Sequence, residues 1–160
     1  MHYEHIVQIN DANDPLLSII SRNQLWRGLL RRVEKPEEFL VGVESVTITA
    51  RGDGWLKRDM QLGPLRVEDH ITLEDEVRIH FDTAPSAQHQ GGSFTMTIEE
   101  PNPGALFVRF SYQTALPETG PQDTDAGDAY FADYVKSAYR DTDIDAIRWI
   151  RELVETGQLD

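Results

Sequence analysis

Arg58 and Asp69 each interrupt a run of inward-reading apolar residues. Leu56, Met60 and Leu62 precede a Gly63-Pro64 turn, and Leu65, Val67, Ile71 and Leu73 follow it. If the turn places Leu62 opposite Leu65, antiparallel pairing sets Met60 against Val67, Arg58 against Asp69 and Leu56 against Ile71. Both charges then point into the concave side at one rung. A guanidinium facing a carboxylate there is either a structural ion pair or a donor set that offers N–H groups to an anionic or carbonyl group on a ligand. A three-residue turn would shift the pairing by one and send Asp69 to the other face.

Other groups that can do chemistry are sparse. His70 and His80 fall on the polar faces of their strands and read as surface histidines, because a general base needs a carboxylate partner that the spacing does not supply. His2 and His5 lie three apart, which on a strand puts them on opposite faces, a poor metal site. No zinc-binding helix motif, P-loop, dinucleotide glycine pattern or nucleophile elbow is present, so the sequence implies no metal and no cofactor. What remains is a set of large side chains at inward positions: Trp26, Met60, Phe81, Phe94, Met96, Phe110, Tyr112, Tyr130 and Tyr134. They either fill a core or line a cavity, and with Arg58 and Asp69 they are the candidate ligand-binding residues.

Bulk properties narrow the partners. At 160 residues the chain is expected to form one domain over 1–160, long enough to bury roughly 70% of its unfolded surface. There is no Cys, which removes disulfides, thiolate catalysis and cysteine-ligated zinc. Met1 is followed by His2-Tyr3-Glu4-His5 rather than a basic and then apolar leader, and no run approaches a membrane span, so a cytoplasmic protein is expected. A net charge of -13 argues against nucleic acid and anionic membrane surfaces, both of which demand cations. Arg22, Arg27, Arg31, Arg32 and Lys35 are a local exception, read as a solvated helix face.

The elements that must position these residues follow from periodicity. An opening strand, His2 to Ile9, is followed by a turn cluster. Ser21 with Gln24 then forms a capping box ahead of a helix whose stripe is Leu25, Trp26, Leu29, Leu30 and Val33. Pro36 ends that helix and starts a short second one closing at Gly42. From Val43 the period becomes two, and six strands follow with short turns up to Gln113. Pro117 to Gly127 links them to a long final helix, Asp128 to Thr156. Its stripes, Phe131, Tyr134, Val135 and Ala138 and then Ile147, Ile150, Leu153 and Val154, are rotated by about 160° at about 100° per residue. One straight helix cannot bury both, so a kink is expected at Asp141-Thr142-Asp143, with Thr142 capping the second part.

Strand, two short helices, six strands and a long helix make an α+β chain. Its economical packing is a seven-stranded curved antiparallel sheet wrapped around the kinked C-terminal helix, a helix-grip arrangement. On that order the chain resembles the START and birch-pollen-allergen (SRPBCC) superfamily. More narrowly, it resembles the AtaL-like family through His2-Tyr3-Glu4-His5, Gln24-Leu25-Trp26-Arg27-Gly28-Leu29, the strand Leu56 to Met60 with Arg58, Thr95-Met96-Thr97-Ile98-Glu99-Glu100, and Asp143-Ile144-Asp145 to Arg151-Glu152-Leu153. The resemblance implies a protein that encloses a hydrophobic small molecule between sheet and helix. It admits a polyketide cyclase or dehydratase-like non-redox enzyme as an alternative, and a protein-interaction module without a small ligand as a third.

Overall fold

The structure is a computed structural model that describes residues 1–116 and 126–159, with only the backbone of 126–130 described. Alternating sequence yields seven strands: β1 (His2–Gln8), β2 (Val43–Gly52), β3 (Trp55–Leu62), β4 (Leu65–Glu74), β5 (Arg78–Thr83), β6 (Gly92–Asn102) and β7 (Ala105–Thr114). They form one antiparallel sheet in the order β1-β7-β6-β5-β4-β3-β2. The six later strands are a meander, and β1 pairs with β7 at its far edge, Tyr3 opposite Tyr112 and His5 opposite Phe110. Two helices complete the α+β arrangement expected from the sequence, α1 (Arg22–Glu34) and α2 (Ala126–Glu155).

Local chemistry explains α1. Ser21 accepts from the Gln24 backbone N–H at 3.1 Å while the Gln24 side chain accepts from the Ser21 N–H at 2.9 Å, the reciprocal cap its spacing predicts. Leu25, Trp26, Leu29 and Val33 are buried beneath it. The expected second helix is a single 3-10 turn, Pro36–Glu38, because only eight residues, 35–42, separate the end of α1 from the start of β2. Gly28 sets how closely the helices approach: a Cβ built there would stand 2.3 Å from the Cγ2 of Ile150 on α2.

α2 differs from expectation. It runs unbroken through Asp141, Thr142 and Asp143, and Thr142 caps no new helix. The expected first stripe is not buried, since Phe131 is 52% and Tyr134 62% exposed. The inward line is instead Tyr139, Asp143, Ala146, Ile150 and Leu153, spaced four and three residues apart, with Ile147 beside it. One continuous helix satisfies that line, because a carboxylate occupies a position where the periodicity argument looked for a hydrocarbon. Arg151 is half-buried and donates to the carbonyls of Ser18 and Ile9.

Candidate functional site

Between the concave face of the sheet and α2 lies a cavity of about 820 Å³. Met60 and Val67 from the β3–β4 hairpin, with Phe81 and Phe94 from β5 and β6, form its apolar wall, and Ala138, Tyr139 and Thr142 of α2 face them. The wall is held by ring stacking: Phe94 lies 5.3 Å from Phe81 and 4.5 Å from Tyr112, whose ring stacks on Tyr139 at 4.0 Å. Gln88 to Ser93 and Gln113 to Leu116 contribute its rim.

Two buried ion pairs lie at the cavity's inner side. The β3–β4 register is Leu62 to Leu65, Met60 to Val67, Arg58 to Asp69 and Leu56 to Ile71. Gly63, at φ +56°, takes the first position of the two-residue turn, a conformation that keeps the loop at two residues. The Nη2 of Arg58 donates to Asp69 at 2.7 Å, and Thr83 donates to the other carboxylate oxygen at 2.7 Å. Arg58 Nη1 donates to the carbonyl of Val33 at 2.7 Å, so this arginine also satisfies an end carbonyl of α1. Burial pushes its guanidinium below the ordinary arginine range, and Asp69 opposes that shift.

The second pair joins the helices. Asp143, fully buried on α2, accepts at one oxygen from Tyr112 at 2.7 Å and from the Nε2 of His5 at 2.7 Å. A carboxylate cannot donate, so Nε2 of His5 carries the proton. The other oxygen stands 2.9 Å from Arg32 Nη2, a contact whose distance makes an ion pair and whose angle falls short of a hydrogen bond. Arg32 lies 5.3 Å above Phe94 and 5.9 Å above Phe110, and its Nη1 meets the sulfur of Met96 at 3.7 Å. Burial raises the Tyr112 hydroxyl far above the ordinary phenol range, and the adjacent Asp143 charge adds to it. Burial alone raises Tyr139.

Of the residues singled out from the sequence, Arg58, Met60, Asp69, Phe81, Phe94 and Tyr112 line this cavity. Trp26, Met96 and Phe110 do not: they are core residues packed beneath it, because their positions fall deeper along α1, β6 and β7 than the cavity reaches. Tyr134 is turned out by the α2 register, and the side chain of Tyr130 lies outside the described residues. Arg32 and Asp143 are the residues sequence reasoning missed. Their signal was position: Arg32 follows Leu25 by seven and Leu29 by three, and Asp143 precedes Ala146 by three and Ile150 by seven. Opposite charges on the inward stripes of two helices are a pair waiting to be matched.

A curved antiparallel sheet closed by a long C-terminal helix over a cavity defines the helix-grip class. Within it, residues 7–157 match the profile of the AtaL family, acetylaranotin biosynthesis cluster protein L, and the chain belongs to that family. No curated protein sequence matches it. Among solved structures it is similar to the Zhui aromatase/cyclase from Streptomyces sp. R1128, with TM-score 0.63 and 15% identity over 96% of this chain and 94% of that one. It is also similar to the Aha1 dimer from Colwellia psychrerythraea, with TM-score 0.61 and 11% identity over 94% and 96% of the two chains. A third likeness is to Ara h 8.0201, with TM-score 0.58 and 14% identity over 98% of each. At these identities the likeness is one of fold.

Proposed function

We propose that the chain is a small-molecule binding protein that encloses an apolar or aromatic ligand between its sheet and α2. The observation that carries this reading is the cavity of about 820 Å³ with a stacked aromatic wall. A volume of that order suits a ligand of two to four fused rings, within the roughly 300 to 1,000 Å³ of small-molecule sites. A protein-interaction module has no use for such a space, and its reading is the weaker for it.

The alternative of a cyclase or dehydratase-like enzyme acting on the same ligand draws on one further observation, the Arg32, Asp143, Tyr112 and His5 chain beside the cavity. Such an enzyme would work by positioning and by hydrogen bonds to developing oxygen charge. Binding is the preferred reading because both buried carboxylates are held in ion pairs with arginines, Asp143 with Arg32 and Asp69 with Arg58. Titration of the folded protein with a fluorescent hydrophobic probe, together with native mass spectrometry of the protein as isolated, tests it. Saturable one-to-one binding or a retained mass is expected, and the absence of both overturns the proposal.

A further inference from the structure

The two arginines beside the cavity are not equivalent as ligand donors. Arg58 is engaged: Nη1 on the Val33 carbonyl, Nη2 on Asp69, and an Nε that is buried out of reach. Arg32 has one oxygen partner among the described residues, Asp143, and only a long contact from Nη1 to the Met96 sulfur. It lines the cavity with its side chain 10% exposed, so its remaining N–H groups are the charged donors that a molecule inside the cavity can meet. Its guanidinium carbon lies 5.3 Å over the Phe94 ring, so a bound acceptor would lie close to an aromatic surface.

The charges decide which acceptor fits. Arg32 and Arg58 are matched one to one by Asp143 and Asp69, so the two arginine–carboxylate pairs carry no net formal charge. A carboxylate entering this set would bring a buried charge with no counterion, whereas a neutral oxygen would take Arg32's open donors and leave the balance intact. The net charge of -13 on the chain adds repulsion against anions at a distance. We infer that the cavity selects neutral aromatic molecules bearing a ketone or phenol oxygen, that Arg32 donates to this oxygen, and that Asp143 holds Arg32 in place. The inference rests on the ligand-binding reading above and adds the ligand class.

Three probes of one shape separate the two claims: 2-ethylnaphthalene, 2-acetonaphthone and 2-naphthoate, measured by equilibrium dialysis against the full chain. Acetonaphthone is expected to bind at least about tenfold more tightly than ethylnaphthalene, the factor of a modest hydrogen bond to a charged donor, and more tightly than naphthoate. In Arg32→Met, checked for folding by its melt, the ratio of ketone to hydrocarbon falls to about one. The wild-type comparison stands without the variant. Equal binding of hydrocarbon and ketone removes the Arg32 donor, and tightest binding of naphthoate shows a positive rather than balanced set; either overturns this inference while the binding function survives. No binding by any probe overturns the binding function itself.

Discussion

The two buried ion pairs are built on opposite plans. Arg58 and Asp69 come from adjacent strands of one hairpin, 11 residues apart, and their meeting is decided by a two-residue turn. Asp143 gathers His5 from 138 residues away, Tyr112 from β7 and Arg32 from α1. The hairpin pair is set by the register of a single two-residue turn. The helix pair forms only when α1, α2, β1 and β7 have all arrived, so it reports on the complete fold. A pair fixed locally is suited to stiffening the sheet. A pair fixed globally holds an arginine whose open side faces the cavity.

That contrast sets the size of the effects. Asp143→Leu should be the most damaging change, since it leaves Arg32 buried without its counterion and strips His5 and Tyr112 of an acceptor. About 5 kcal/mol is expected in denaturant melts, the upper end for breaking a buried pair. A loss under about 2 kcal/mol would mean that water replaces the carboxylate and that the helix pair is not the lock described here. Arg58→Met should cost about 3 to 4 kcal/mol by orphaning Asp69 and the Val33 carbonyl. The double change Arg58→Met with Asp69→Leu should cost clearly less than the sum of the two single changes, whereas additive losses would separate the two side chains energetically.

Gly28→Ala tests the helix crossing rather than its charges. On propensity alone the change would stabilise α1 by about 1 kcal/mol. The new Cβ, however, would meet the fully buried Ile150 at 2.3 Å, so overpacking should outweigh propensity and give a net loss of about 1 to 2 kcal/mol. A stabilised variant would show that α1 and α2 can separate at little cost, and would weaken the case that Asp143 holds Arg32 in one place.

The same contrast explains what the sequence disclosed. Period-two alternation marked the strands of the meander, and Gly63-Pro64 set the register that brings Arg58 to Asp69, because both depend on neighbours along the chain. The cap of α1 was legible for the same reason. The path of α2 was not. Counting hydrocarbons favoured Phe131 and Tyr134 and demanded a kink, whereas the inward line runs through Asp143, whose three partners come from other elements. Arg32, taken as one of five solvated cations, was concealed by the same rule, since a charge counts as surface until its partner is known. For the cavity, sequence pattern placed six of its lining residues inward but gave no depth along each strand, and so Trp26, Met96 and Phe110 were grouped with it although they pack below.

The smallest effect expected is one of pH, and it isolates Tyr112 within the helix pair. Its hydroxyl titrates well above the ordinary phenol value in the folded protein, through burial and then the neighbouring Asp143 charge. The folded state therefore keeps a proton that the unfolded chain releases above about pH 10. The stabilisation is complete below that value and is lost as pH rises through and beyond it, with a slope of about 1.4 kcal/mol per pH unit for this one group. Tyr112→Phe should cost about 1.5 kcal/mol at neutral pH through the lost bond to Asp143, yet show the shallower decline above pH 10, because Phe has no proton to lose. Tyr139 and Tyr3, both raised chiefly by burial, remain in both proteins and contribute to the residual slope. Urea melts from pH 8 to 11 give both numbers. Parallel curves would mean that Tyr112 ionises as freely folded as unfolded, and that the cavity beside Asp143 is wet enough to carry the charge.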